Sequence, residues 1–336
     1  MPSRSHHPIE IVNALRAFAA IFVAWGHFAG GQGRWFDWSG RYGYTGVYIF
    51  FVISGFVIPY SLHQSGYTMR NLGRFLVKRG IRLYPPYLAS IPVSILAANF
   101  ILRPLAPADV VHVSSRQLFY HFFFLNDLVR APWVNLAYWT LAVEWQWYLL
   151  AGLLLPLLAN RSARSRFVPV AGAMVLYFLS TSDRIVAHTL PIFLIGVFVF
   201  QYRVGLIGAR RLLSLVAVML WAMRGPNGWV VAGVSAATAL LIAFVDFSNP
   251  VADFLGDVSY SVYLLHLPLG VGLIGWLSYL LPYSGSYLGA IDLAGMALSV
   301  GAAALLYRWV ERPAQEMSSR VRWIETAGKQ ASLAAA

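Results

Sequence analysis

Long apolar runs restrict the fold of this chain more than any other feature of its sequence. A helix needs about 20 apolar residues to cross a hydrocarbon core of roughly 30 Å, and ten runs reach or approach that length. Backbone N–H and C=O groups find no water in lipid, so such runs form α-helices. The predicted spans lie near residues 9–29, 44–62, 83–102, 136–158, 167–182, 186–202, 211–223, 229–247, 258–281 and 287–309. We therefore predict an all-α integral membrane protein with about ten transmembrane helices in one bundle.

Composition supports a membrane protein and excludes several kinds of chemistry. Of the 336 residues, 59% are hydrophobic and 11% are charged, and the mean hydropathy of +0.63 lies outside the range of ordinary soluble domains. The sequence contains no cysteine, which rules out disulfides, a thiol nucleophile and a thiolate-bound metal. We predict no metal site, and any chemistry has to come from His, Glu, Asp, Arg, Ser or Tyr.

Positive charge is concentrated in the short gaps between the apolar runs. The net charge is +12, but a nucleic-acid-binding protein carries such charge as a patch on a soluble domain, so we expect no nucleic-acid partner. With the amino terminus inside, 17 Lys and Arg residues fall on the cytoplasmic side, 7 fall outside and Arg16 lies within a span, which accounts for all 25. This bias predicts cytoplasmic termini and a basic mouth that faces the cytoplasm.

The sequence indicates one domain. We predict a single transmembrane domain at residues 1–327, followed by an alanine-rich cytoplasmic tail at 328–336. The first span is predicted to stay in the protein, because it is longer than the apolar region of a signal peptide and contains Arg16. The segment "LFYHFFFL" at 118–125 is too short to cross the membrane and is predicted to be re-entrant or interfacial.

The first span carries two ionisable residues, Arg16 and His27. An α-helix advances about 100° and 1.5 Å per residue, so eleven residues bring these side chains to within roughly 20° of each other and roughly 16 Å apart along the axis. A shared polar face favours a passage through the bundle. Taken singly, Arg16 could instead reach the lipid headgroups, and His27 could be a hydrogen-bonded interfacial residue.

The fourth span contains a carboxylate, Glu144, in "AYWTLAVEWQWYLLAGLLL". A carboxylate surrounded by Trp145, Trp147 and Tyr148 needs a cationic or hydrogen-bonding partner. One interpretation is a structural ion pair with an arginine. The other is a functional group at a depth similar to that of His27, because both residues fall in the outer half of their spans.

Before the third span, "RNLGRFLVKRGIRLYPPYL" contains a basic stripe with members four residues apart. A helix here places those members on one face, which could lie on anionic headgroups. Arg79 falls off this stripe and is predicted to point toward the bundle. Pro85 and Pro86 suit the first turn of the span that follows. The stripe consists of Arg70, Arg74, Lys78 and Arg82.

Small residues and a proline are predicted to shape two other spans. Gly43, Gly46 and Gly55 in "GYTGVYIFFVISGFVIPY" favour close packing between helices. In "DVSYSVYLLHLPLG", Pro268 follows His266 by two residues and is predicted to kink the helix, freeing backbone carbonyls that the imidazole can bind. A structural role and a place on a cavity wall both remain open for His266.

Taken together in their order, these stretches resemble the integral-membrane O-acyltransferases called acyltransferase family three. The stretch "NALRAFAAIFVAWGHF" contains the family's Arg and His with ten residues between them, as Arg16 and His27. The family's Arg-x-x-Arg element matches Arg79 and Arg82, and "YWTLAVEWQWYLL" contains Glu144. The stretches "SYSVYLLHLPL" and "YRWVERPAQ" extend the likeness through the last span.

The resemblance implies transfer of an acyl group, most often acetyl, from coenzyme A to a hydroxyl of a cell-surface or exported carbohydrate, a lipid-linked glycan or a similar acceptor. It implies a bacterial cytoplasmic (inner) membrane, with acyl-CoA as a donor substrate and no permanently bound cofactor. Arg79 and Arg82, with help from Arg16, are expected to hold CoA. His27 is expected to take the proton of the acceptor hydroxyl or to carry the acyl group, and Glu144 to orient its ring.

A proton-coupled transporter or flippase of a glycan or anionic substrate is the alternative. In that interpretation the same three intramembrane residues, Arg16, His27 and Glu144, carry protons or bind the substrate. Many transporters are built from internal repeats with broken helices, and the two halves of this sequence show no such repeat. Substrate flux into vesicles that contain no CoA would indicate a transporter.

Overall fold

The computed structural model describes residues 10–30, 37–101, 113–180, 182, 184–224, 228–281 and 287–324. Within these residues the chain is all-helical and has no β-strand, which confirms the predicted fold class at that level. The first eight α-helices are α1 (Ile11–Ala29), α2 (Asp37–Gly40), α3 (Gly46–Gln64), α4 (Leu72–Leu96), α5 (Ser115–Phe122), α6 (Tyr138–Leu158), α7 (Ala163–Leu179) and α8 (Val186–Arg203). The others are α9 (Ala209–Met223), α10 (Gly228–Phe244), α11 (Pro250–Asp257), α12 (Ser259–Leu265), α13 (Gly272–Leu280), α14 (Leu288–Leu306) and α15 (Arg312–Ser319).

Each of the ten predicted spans falls on a helix, and six of the described helices are long and apolar enough to cross a membrane. The chain is therefore a membrane protein, and the count of about ten crossings stays a prediction. The predicted tail at 328–336 lies outside the described residues. The six helices are Ile11–Ala29, Asp37–Gln64, Tyr138–Leu158, Val186–Arg203, Ser259–Leu280 and Leu288–Ser319.

One helix boundary differs from the prediction. Pro85 and Pro86 do not begin a helix, because α4 is continuous from Leu72 and contains both prolines. Membrane helices tolerate interior proline where neighbouring groups bind the freed backbone. The carbonyls that lose their helical partners at Pro85 and Pro86 are those of Ile81 and Arg82. The neighbouring Leu83 carbonyl accepts a hydrogen bond from the Tyr260 hydroxyl (3.0 Å), which ties this part of α4 to α12. The basic stripe and the apolar segment are thus parts of one rod.

Short π-helical segments interrupt the regular helices at three places. Ala97–Ile101 continues α4, His266–Val271 joins α12 to α13, and Tyr307–Glu311 joins α14 to α15. Pro268 lies inside the second of these, so the predicted break in that helix is confirmed. Such segments are rare and occur frequently at functional sites. The second and third each carry a buried ionisable residue, His266 and Glu311.

Helix α3 lies at the centre of the bundle and packs against α1, α6, α8 and α10. The predicted role of its glycines is confirmed by the approach of neighbouring backbones. A Cβ atom built on Gly55 would overlap the Phe193 carbonyl group of α8. One on Gly43 would overlap the backbone of Gly26 in α1, and one on Gly46 would meet the backbone of Ala19. These contacts place the start of α3 beside the end of α1, so the two helices are antiparallel.

We expect Gly55→Ala to destabilise the protein by about 1–3 kcal/mol, the usual cost of overpacking. The added methyl group meets main-chain atoms of Phe193, which cannot turn aside as a flexible side chain can. Thermal unfolding of the purified protein in detergent measures the change. Gly172→Ala on α7 is the matched control, because a Cβ there meets no atom within 4 Å and alanine favours helix. Equal unfolding temperatures for the two variants would contradict the packing argument.

The segment predicted to be re-entrant or interfacial forms α5, which at eight residues is too short to cross. His121 in this helix is completely buried. Its Nδ1 donates to the Gln117 carbonyl (2.9 Å), and its Nε2 accepts from the Val134 amide (3.0 Å). Because both ring nitrogens form hydrogen bonds with the backbone of this segment, His121 has a structural role.

Candidate active site

A cavity of about 240 Å³ lies inside the bundle between α1, α3, α4, α6, α12 and the π-helical segment before α15. We call the end of the bundle where α1 begins the basic end, and the opposite end the far end. Along α3 the cavity is lined from Val47, near the far end, to Ser61, near the basic end. Fourteen helical residues correspond to about 21 Å, so the cavity extends through much of the bundle.

Three guanidinium groups line this cavity, those of Arg16, Arg79 and Arg82. Arg79 points into the bundle as predicted, and its guanidinium lies 5.3 Å from the ring centre of Tyr148 and 5.7 Å from that of Phe75. Within the described part of the chain, none of the three guanidiniums forms a hydrogen bond or a salt bridge. Their N–H donors are therefore available to an anionic ligand.

Two carboxylates also line the cavity, and hydroxyl groups hold both. Glu144 Oε1 accepts hydrogen bonds from Ser54 Oγ (2.6 Å) and from the Tyr148 hydroxyl (2.8 Å). Glu311 Oε2 accepts from Ser261 Oγ (2.6 Å), and Glu311 is only 2% exposed. Three cationic side chains against two carboxylates leave the cavity with a net positive charge at neutral pH.

Sequence reasoning missed Glu311, although it lies in the quoted stretch "YRWVERPAQ". Its charge interacts with those of Arg16 and Arg82 across the cavity. The available signal was an acidic residue directly after an apolar span. Two positively charged neighbours in the sequence, Arg308 and Arg312, made a surface ion pair an equally good interpretation, and only the π-helical turn brings Glu311 inside.

His27 lines a different space, an open pocket of about 620 Å³ at the far end of α1. In the described residues this pocket is also lined by Asp37, Trp38, Arg41 and Tyr44. The side chain of His27 is exposed there.

A cluster of apolar side chains separates the cavity from the far pocket. Val23 lines the far pocket, whereas Val47, Phe50 and Tyr263 line the cavity. These four side chains pack together in one buried cluster. We call this cluster the dividing wall. Its members therefore lie between lining residues of the two spaces.

The predicted contact between Glu144 and His27 is absent among the described residues. The two side chains line separate spaces, and both described partners of Glu144 are hydroxyl groups, those of Ser54 and Tyr148. Ser54 lies 90 residues before Glu144 in the chain, so no local pattern revealed this pairing. The individual roles predicted for His27 and Glu144 stay predictions. No group of three or more His, Asp or Glu residues in the described ranges is arranged to hold a metal ion.

The comparisons with known proteins agree with the motifs that line these two spaces. The model of acyltransferase family three, an acyltransferase domain, matches residues 9–308. Searches of curated proteins and of solved structures give no match. The matched region contains Arg16, Arg79, Arg82 and His27 of the stretches that resemble the family's motifs, together with Glu144. Since the match covers most of its length, the chain belongs to acyltransferase family three, a family of membrane acyltransferases.

Proposed function

We propose that this protein moves an acyl group, acetyl being the usual one in the family, from acyl-CoA to a hydroxyl of a carbohydrate or lipid-linked glycan. One observation carries the proposal: three guanidiniums that form no hydrogen bond or salt bridge with any described residue line one cavity of a bundle that also holds a histidine-lined pocket. In this proposal the basic end faces the cytoplasm of a bacterial inner membrane, where acyl-CoA is available. The excess of Lys and Arg in the predicted cytoplasmic loops supports that orientation.

The arginines would hold the phosphates of CoA at the basic end. A guanidinium offers paired N–H donors that match phosphate oxygens, and such charge-assisted hydrogen bonds are about twice as strong as neutral ones. A cavity of about 240 Å³ is smaller than the roughly 300–1,000 Å³ of sites that enclose drug-sized ligands. The cavity therefore suits the narrow acyl-pantetheine arm, with the nucleotide left at the mouth.

The transfer itself would take place at the far end. His27, as a neutral imidazole, takes the proton of the acceptor hydroxyl while the oxygen attacks the thioester carbonyl. The new C–O bond forms, the C–S bond breaks, and the proton passes to the sulfur of CoA. Transfer through an acyl-histidine would use the same residue as a nucleophile. In either route the dividing wall parts to let the thioester meet His27.

The far pocket suits a sugar acceptor. Trp38 and Tyr44 offer aromatic faces, and Asp37 and Arg41 offer charged hydrogen-bonding groups beside His27. Aromatic surfaces with polar groups around them are typical of small-molecule sites that fix the orientation of their ligand. This composition supports a carbohydrate acceptor at the end of the bundle opposite the arginines.

The direct test is label transfer by the purified protein in lipid nanodiscs. Acetyl-CoA labelled in the acetyl group is incubated with lipid-linked glycans or with soluble polysaccharide, and the label in each acceptor is measured by scintillation counting and mass spectrometry. We expect ester-linked label in an acceptor and release of free CoA. Flux of glycan into sealed proteoliposomes without CoA, and no labelled acceptor, would instead support the transporter alternative, which the family match does not favour.

We expect Glu144→Gln to lower kcat about tenfold or more without raising the KM for acyl-CoA, because the charge of Glu144 offsets those of Arg16 and Arg79, and its loss strengthens their hold on the CoA product and slows its release. Glutamine keeps the shape and still accepts the hydrogen bonds of Ser54 and Tyr148, so only the negative charge is lost. Loss of that charge beside the arginines does not weaken phosphate binding. Initial rates over a range of acyl-CoA concentrations separate the two parameters. An unchanged kcat would show that Glu144 serves only to hold its hydroxyl partners.

A further inference from the structure

A second histidine, His266, is buried beside the dividing wall. It is the first residue of the π-helical segment His266–Val271 and has no exposed surface. Its Nδ1 lies 2.7 Å from the Tyr263 carbonyl oxygen. A carbonyl oxygen only accepts hydrogen bonds, so Nδ1 carries the hydrogen in this contact. In a neutral imidazole this contact fixes one tautomer, the one in which Nε2 carries a lone pair.

That lone pair has no protein partner in the part of the chain that the structure describes. Buried polar atoms are normally hydrogen-bonded, and an exception in a native protein calls for an explanation. The backbone contact of Nδ1 explains why the ring is fixed in place but leaves Nε2 without a function. The hydrogen-bonding capacity of this buried acceptor is satisfied only when a donor approaches it.

The position of His266 identifies the donor. Its ring centre lies 5.7 Å from that of Tyr263, which lines the cavity, and 5.3 Å from that of His27, which lines the far pocket. Ring nitrogens lie about an ångström from the ring centre, so the separation from His27 leaves room for an N–H···N hydrogen bond after a small rotation. His27 is exposed, and no described residue donates to it or accepts from it, so its ring is free to make that rotation.

We infer that His266 is the positioning residue of His27, accepting at Nε2 a hydrogen bond from the His27 imidazole. The inference rests on the proposed function. In the resting protein this bond fixes the His27 tautomer, so that the other nitrogen presents its lone pair to the acceptor hydroxyl. When His27 takes the hydroxyl proton it becomes an imidazolium, and the same bond stabilises it until the proton passes to the CoA sulfur. His266 neither gains nor loses a proton in this cycle.

His266 thus takes the role that the sequence predicted for Glu144. A base oriented by a third group is a recurring arrangement in enzymes, and the orienting group need not touch the substrate. Glu144 is held by Ser54 and Tyr148 in a separate space. His266 is already beside His27, and its contact with Tyr263 leaves Nε2 able to accept but not to donate.

Two substitutions separate the functions of the two ring nitrogens. His266→Asn keeps an N–H donor near the position of Nδ1 and loses the acceptor at the position of Nε2. His266→Gln places a side-chain amide oxygen near the position of Nε2. We expect His266→Asn to lower kcat about tenfold or more, in line with the loss of groups that orient a functional histidine. The KM for acyl-CoA should stay within about twofold, and His266→Gln should recover much of the rate.

The matched control is His188→Asn. His188 is a partly buried histidine of α8 that packs against Tyr177 and lines neither the cavity nor the far pocket. We expect its rate to equal that of the unchanged protein. In the His27→Ala background, His266→Asn should have no further effect, because a positioning residue acts only through the group it positions. Equal rates for His266→Asn and the unchanged protein, or an equal loss in the Asn and Gln variants, would overturn the inference.

A measurement on the unchanged protein keeps the test independent of how the variants fold. In ¹⁵N-histidine NMR spectra of the protein in nanodiscs, with His266→Gln used for assignment, we expect His266 to be neutral and protonated at Nδ1. Protonation at Nε2 would overturn the inference. If the unchanged protein transfers no acyl group, the proposed function fails, and the NMR result still decides whether His266 has the tautomer inferred here.

Discussion

Replacement of His27 by alanine is expected to lower acyl transfer by a factor of about 10²–10⁴, the usual contribution of a positioned general base. The reason is that His27 is the histidine which lines the far pocket, where the acceptor hydroxyl is proposed to bind. Its side chain is exposed, so alanine leaves no cavity in the core and the fold should be retained. The rate of acyl transfer is measured with labelled acetyl-CoA, a glycan acceptor and the protein in nanodiscs.

The binding of acyl-CoA distinguishes loss of chemistry from loss of substrate. Arg16 lies about three helical turns from His27 along α1, and Arg79 and Arg82 of α4 line the cavity and not the far pocket. His27→Ala should therefore bind acyl-CoA within about twofold of the unchanged protein. CoA-dependent thermal stabilisation measures this. His188→Ala on α8 is the control for removal of a histidine from the bundle. If His27→Ala transferred the acyl group at the rate of the control, His27 would have no part in the mechanism.

Arg79→Ala is expected to raise the KM for acyl-CoA about 10- to 100-fold, which corresponds to the loss of one or two charge-assisted hydrogen bonds. Arg79 points into the cavity, its guanidinium lies beside the rings of Tyr148 and Phe75, and no described residue accepts a hydrogen bond from it. In the proposed function, its removal takes away a donor for the phosphates of CoA. Initial rates at increasing acyl-CoA concentrations provide the measurement.

Arg74 offers a matched control on the same helix. It is exposed, lies outside the cavity lining and donates to the Arg322 carbonyl (2.9 Å), so Arg74→Ala should leave the KM within about twofold. Acetyl-pantetheine, which lacks the nucleotide phosphates, should be used equally by Arg79→Ala and the unchanged protein. A defect of Arg79→Ala that persists with acetyl-pantetheine would assign this arginine to the structure of the cavity and not to phosphate recognition.

The dividing wall has a consequence for how the two substrates meet. Acyl-CoA and a glycan are both polar, and a continuous water-filled channel between the two spaces would let the thioester be hydrolysed. A wall of packed side chains, with Val23 on one face and Phe50 and Tyr263 on the other, keeps the spaces apart. In the proposed reaction it opens only for the slender end of the acyl-pantetheine arm.

Much of the fold and part of the candidate site could be predicted from the sequence. The helices follow from apolar length, and the inward direction of Arg79 follows from its place off a stripe with a period of four residues. The packing glycines of α3 and the break at Pro268 likewise depend on neighbours within one element. Rules about periodicity and backbone chemistry apply to such local features without knowledge of the partner helices.

Other features could not be predicted because they depend on residues far apart in the chain. The hydrogen bond of Ser54 with Glu144 joins α3 to α6, and that of Ser261 with Glu311 joins α12 to the segment before α15. Proline signals also misled at α4, which continues through Pro85 and Pro86 and is joined to α12 by the hydrogen bond from Tyr260 to the Leu83 carbonyl. The separation of His27 from Glu144 also depends on how distant helices pack. Two residues at similar depth in different helices need not have their side chains in one space.

The sequence by itself determined that this chain is helical and belongs in a membrane, and that Arg16 and His27 share one face of the first helix. It also predicts that the basic residues gather on one side. Each of these follows from the chemistry and spacing of residues within a single segment. Only the tertiary structure decided that three arginines meet around one cavity, that Glu311 joins them and that His266 stands beside His27. These depend on how helices distant in sequence pack together, and that packing is set by side-chain shapes summed over the entire bundle.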